Sequence, residues 1–130
     1  MKPKQNQAGD PGESKGYDRC NTPAYGVDPL LPFLHPDVLI WESAAGTGNI
    51  VRALAPRRVI ASDLHGDYAQ PPRNFFDWQP PRFDVIVTNP PYSIKYRWLE
   101  RCYQIGKPFA HLVPVETIGT QSAQELMERH

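Results

Sequence analysis

The chain has 130 residues, 40% of them hydrophobic and 22% charged, and its formal net charge is zero. That length suits one domain with a modest core. The neutral balance argues against a protein that coats nucleic acid by bulk charge, and no apolar run is long enough for a signal peptide or a membrane span.

The two cysteines, Cys20 and Cys102, form no C-x-x-C pair, and His35, His65, His111 and His130 lack metal-ligand spacing. No metal site is therefore expected. Two free thiols fit a reducing compartment, so a cytoplasmic protein is expected.

Residues 1–16 are Lys, Gln, Asn, Gly, Pro, Asp, Glu and Ser with little to bury, and read as a disordered tail. Prolines break 17–33 into turns and short helix. An alternation follows. The apolar run 38–41 predicts a first strand, Gly46-Thr47-Gly48 a tight loop, and 49–55 a short helix stopped by Pro56. Residues 59–62 predict a second strand, 74–76 a brief third, 83–88 a fourth and 109–114 a fifth. Between the last two, 96–105 predicts a helix with Leu99, Cys102 and Tyr103 on one face and Gly106 as its stop. Ser122-x-x-Glu125 resembles a capping box opening a last helix. Strand–helix alternation with continuously apolar strands predicts a parallel sheet covered by helices.

The first candidate site is Trp41-Glu42-Ser43-Ala44-Ala45-Gly46-Thr47-Gly48-Asn49, after a strand and before a helix. Small residues let the backbone pass close to a ligand. The dinucleotide fingerprint fails because Val51 stands at its last place, and the Walker A lysine is missing. An ordinary strand–helix turn would use the same residues. Asp63 ends the second strand, where an acid can accept both ribose hydroxyls; a turn-forming aspartate is the plainer reading. Asp77, after the third strand, could accept from an adenine amino group or be a loop aspartate.

The most specific feature is Asn89-Pro90-Pro91-Tyr92, directly after the fourth strand. Two prolines make a stiff bend whose carbonyls lack competing amide donors. The Asn89 oxygen and the Pro90 carbonyl can accept the two hydrogens of a planar amino group, and Tyr92 offers a flat face for a base flipped out of its stack. A Pro-Pro turn ending a strand is the structural alternative.

Taken in order, these motifs resemble the class I S-adenosylmethionine-dependent amino-methyltransferases, and phage-type DNA N6-adenine methyltransferases most closely. Asn21-Thr22-Pro23-Ala24-Tyr25 is similar to that family's Thr-Pro segment. The resemblance covers roughly 17–114. It implies a doubly wound, mostly parallel sheet of Rossmann-like type. It also implies that Thr22, Pro23, Glu42, Ala44, Gly46 and Gly48 hold the methionine end of S-adenosylmethionine, that Asp63 takes the ribose and Asp77 the adenine, and that Asn89, Pro90, Pro91 and Tyr92 form the methyl-acceptor site, with Asn89 also beside the cofactor. Cytosine C5 chemistry is excluded because no Pro-Cys pair exists.

The family's sheet has seven strands, closed by a hairpin after the fifth. The domain at 17–130 is thus expected to lack the C-terminal strands, the alternatives being a truncated chain, a degenerate remnant, or dependence on a partner subunit or self-association to complete the sheet. Lys95, Arg97, Arg101 and Lys107, interleaved with Tyr96, Trp98 and Tyr103, form an expected basic face for DNA; a solvated helix with Trp98 and Tyr103 packed on the sheet competes with it. Arg52, Arg57 and Arg58 read as solvated surface. The expected activity is methylation of adenine N6 in DNA. An RNA base or protein glutamine nitrogen is the alternative substrate, and a non-catalytic S-adenosylmethionine-binding subunit the alternative role.

Overall fold

A computed structural model describes residues 23–65, 68–112 and 121–129. The expected tail, Cys20, Thr22 and the end of the fifth predicted strand lie outside the described residues, as does the side chain of Ser122.

Ala24–Phe33 is a 3-10 helix containing Pro29 and Pro32. The following elements are β1 (Leu39–Glu42), α1 (Asn49–Leu54), β2 (Arg58–Ala61), β3 (Val85–Thr88), α2 (Lys95–Ile105), β4 (Phe109–His111) and α3 (Gln121–Arg129). The strands form one sheet in the order β2-β1-β3-β4, and every pairing is parallel. The expectation of a parallel sheet covered by helices is met.

The two central strands are the most apolar. β3 is Val-Ile-Val-Thr, all β-branched and all buried, the composition a two-sided strand favours. Alternation sends successive side chains to opposite faces. Ile40, Val85 and Val87 pack with Ile50 and Leu54 of α1 and with Val27 and Leu34 of the 3-10 segment. Trp41 and Ile86 pack on the other face with Phe75, Phe83, and Trp98 and Cys102 of α2. The helix after β1 and the helix after β3 therefore cover opposite faces, as right-handed crossovers running in opposite directions across a sheet require.

Aromatic rings fill the α2 face. Trp41 is fully buried, with Phe75 and Phe83 centred 5.2 and 5.1 Å from it. Phe75 stacks on Trp98 at 4.2 Å and 8°. Each such buried side chain contributes roughly 1.5–3 kcal/mol relative to an exposed one. α2 ends at Gly106, whose φ of 79° is left-handed and whose N–H returns to the Cys102 carbonyl, the expected stop. Its buried residues are Trp98 and Cys102, four apart, rather than the predicted Leu99–Cys102–Tyr103 stripe. Tyr103 meets Phe109 edge-on at 5.2 Å, so both aromatics pack on the sheet.

The third predicted strand is not one. Residues 75–77 form a turn. The Asn74 side-chain oxygen accepts from the Phe76 amide at 2.9 Å, and the Asn74 carbonyl accepts from those of Asp77 and Trp78. Local bonding of this kind competes with strand pairing. Arg57 is not surface decoration either. It is half-buried and donates to the Leu31 and Leu34 carbonyls, closing the end of the 3-10 helix.

Candidate active site

β1 lies between β2 and β3, so the chain reverses its direction across the sheet at β1 and β3. Open α/β sheets take ligands beyond the carboxyl ends of the strands at such a point. Here those ends are Glu42 and Thr88. The glycine loop leaves one, and Asn89-Pro90-Pro91-Tyr92 leaves the other.

The two are joined by a buried hydrogen bond. Thr88 Oγ1 donates to Glu42 Oε1 at 2.5 Å, and the same oxygen accepts from the Ala44 amide at 2.8 Å. Glu42 is fully buried, and among the described residues its Oε2 has no hydrogen-bond partner. Burial pushes its pKa up to about 8, against the lowering effect of the Thr88 and Ala44 bonds and with a further rise from the nearby Asp63 charge. The carboxyl is therefore largely protonated at neutral pH.

The loop turns through two left-handed glycines, Gly46 at φ 54° and Gly48 at φ 89°. A Cβ at Gly46 would meet nothing within 4 Å, which leaves the backbone open to a ligand. A Cβ at Gly48 would clash with the edge of the Tyr68 ring, so the tyrosine ring closes over this residue. Ala44 is half-buried at the start of the loop. The Ala45 amide donates to the Ser62 carbonyl at 3.0 Å, fastening the loop to the end of β2 and so to Asp63. Ser62 Oγ also accepts from Trp41 Nε1 at 2.8 Å. A second fastening runs to α2, where Trp98 Nε1 donates to Ser43 Oγ at 3.2 Å.

Pro90 is fully buried, and Asn89, Pro91 and Tyr92 are half-buried. The Asn89 side-chain oxygen is enclosed. Tyr92 opens a short 3-10 turn, Tyr92–Ile94, that leads into α2. The fold thus gathers Glu42, Ala44, Gly46, Gly48, Asp63 and Asn89–Tyr92 at one end of the sheet.

Two further expected residues are exposed. Pro23 is exposed at the start of the 3-10 helix, which packs on α1. Asp77 is exposed on the 74–78 turn rather than following a strand. The expected basic face is divided. Lys107 Nζ donates to the Phe83 carbonyl, beyond the amino end of β3 and away from the site. Arg101 donates to the Phe75 carbonyl and to Gln79 Oε1, both at 3.4 Å. Lys95 and Arg97 alone lie in the first turn of α2, with Arg97 exposed above the Phe76 ring.

Thr88, Ser62 and Tyr68 were not singled out in the sequence. A threonine ending a strand is ordinary β chemistry, and only its pairing with a buried acid marks it. Behind the site, Cys102 Sγ lies 3.2 Å from His111 Nε2. Burial pushes the thiol up to about 12, offset in part by Arg101, and pulls the imidazole down to about 4. Both are neutral at pH 7, and the thiol is unreactive.

Among the described residues no cluster of three or more His, Cys, Asp or Glu could hold a metal ion, and no helix is long and apolar enough to cross a membrane. Comparison with known proteins finds no matching family model, curated protein or solved structure.

Proposed function

We propose that this chain binds S-adenosylmethionine in a class I methyltransferase fold of Rossmann-like type and transfers its methyl group to the N6 amino group of adenine in DNA. The observation that carries the reading is the Thr88–Glu42 hydrogen bond at the point where strand order reverses. It ties the glycine loop and the Asn-Pro-Pro-Tyr bend into one site, as a reaction between a loop-bound donor and a bend-bound acceptor needs.

S-adenosylmethionine supplies an electrophilic methyl on a sulfonium. The protein's own part is positioning. Glu42 and the open backbone at Gly46 face the methionine end, and Asp63 takes the ribose hydroxyls. The Asn89 oxygen and the Pro90 carbonyl accept the amino hydrogens of the target, which concentrates the nitrogen lone pair on the methyl. Tyr92 packs on the base, which must leave the duplex to reach so enclosed an acceptor. Lys95 and Arg97 are the cations nearest the bend available to phosphates.

The test is to offer the purified chain methyl-tritiated S-adenosylmethionine with unmethylated DNA, RNA and protein side by side, then digest the labelled product. Label recovered as N6-methyladenine from DNA supports the proposal. Label confined to RNA or to protein glutamine reassigns the substrate. Cofactor binding without label in any of them makes the chain a non-catalytic binding subunit.

A further inference from the structure

Of the cations around the sheet, Arg57, Arg101 and Lys107 are committed to backbone carbonyls. Arg52 is not. It stands one turn into α1, exposed, with Nη2 on Asn49 Oδ1 at 2.6 Å and its guanidinium 6.0 Å from the centre of the Tyr68 ring. Among the described residues no carboxylate pairs with it. Its Nη1 lies only 2.9 Å from the place a Cβ at Gly48 would take, beside the edge of Tyr68. The missing side chain at position 48 is thus what lets a guanidinium and an aromatic ring close over the loop.

Neither group belongs to the core, since Arg52 is exposed and Tyr68 is 45% exposed. A guanidinium carries five donors in a planar fork, and the single Asn49 contact leaves a carboxylate-sized share of them unused. At the start of the same loop stands Glu42, fully buried, with Oε2 unpartnered among the described residues. Between them Gly46 leaves open space. A neutral carboxyl at one end of the loop, a guanidinium at the other and bare backbone between can receive an amino-acid end. The carboxyl oxygen can accept from its ammonium, and the guanidinium can donate to its carboxylate.

We propose that Arg52, braced by Asn49 and Tyr68 over Gly48, takes the carboxylate of the ligand's amino-acid end. This rests on the proposed function, in which the ligand carries a methionine end, and it adds a binding residue that the motifs do not include.

The test is calorimetric titration of the full chain with two ligands. One is S-adenosylhomocysteine. The other is 5′-methylthioadenosine, which keeps the adenosine and the thioether but lacks the amino-acid end. Arg52→Gln should weaken S-adenosylhomocysteine about tenfold, the scale of one partly solvated charge-assisted contact, and leave methylthioadenosine within about twofold. Arg52→Lys should recover part of the loss. Equal weakening of both ligands, or unchanged affinity for S-adenosylhomocysteine, overturns the role of Arg52 while leaving the cofactor reading intact. A folded wild-type chain that binds neither ligand overturns the cofactor reading and this inference together.

Discussion

Thr88 Oγ1 and Glu42 Oε1 lie 2.5 Å apart across 46 positions of sequence, and both side chains are fully buried. The bond satisfies one oxygen of a carboxyl that would otherwise keep only the Ala44 amide. Thr88→Val keeps the shape of the side chain and removes the donor. It should cost about 1–3 kcal/mol in denaturant unfolding, the penalty for a buried polar group that loses a partner. Thr88→Ser should cost less. Equal stabilities for the valine variant and the wild type would show that the bond contributes nothing.

The same carboxyl sets a pH dependence. Its folded pKa of about 8 is raised above the ordinary 4.5 by burial. The folded state therefore holds more protons between these values, and stability should fall as pH rises through that window. His111 works in the opposite sense, its contribution being lost as pH falls from 6.5 towards 4. Cys102 shifts only above 9. Of these three groups, Glu42 alone titrates between 6.5 and 8. Unfolding free energy should drop there by up to about 2 kcal/mol. Glu42→Gln should flatten the slope, as read by denaturant titrations across the range, and an unchanged slope in that variant would assign it to other groups.

Gly48 should resist substitution for two separable reasons. Its φ of 89° is left-handed, and its face meets Tyr68. Gly48→Ala should cost about 1–2 kcal/mol from the backbone alone, plus the clash. Adding Tyr68→Ala should relieve the clash and leave the backbone cost. A double-mutant cycle of thermal melts measures the difference, and strict additivity would mean that the ring and the glycine do not meet.

Trp98 links α2 to the glycine loop through Ser43 and to the aromatic core through Phe75. Trp98→Phe keeps a ring for stacking and loses the donor, and should cost on the order of 1 kcal/mol beyond any packing change. Ser43→Ala should show a similar loss, and the two together no more than either alone for that bond. Full additivity in chemical unfolding would argue that the indole and the hydroxyl act separately.

The strands around the site were legible because their physics is local. Val85 to Thr88 is a run of four β-branched residues that could only be a buried strand, and Gly46 and Gly48 mark a turn that other residues resist. The turn at 74–78 was not legible. Two adjacent phenylalanines imitate a strand, whereas here Phe75 is buried through ring stacking and Asn74 holds the backbone by its side chain and carbonyl. Tyr68 carries no spacing signal at all, because it reaches Gly48 from an irregular loop. The basic face failed for a reason of length. An 11-residue helix extends about 16 Å, so Lys95 at its start and Lys107 beyond its end cannot stand at the same end of the sheet.

In the proposed function, donor and acceptor share the site at the ends of β1 and β3. Its most direct test measures S-adenosylmethionine binding and methyl transfer to DNA on the same samples of wild type and Asn89→Ala. Both proteins should bind the cofactor, and only the wild type should transfer label. Transfer by Asn89→Ala at the wild-type rate would contradict it.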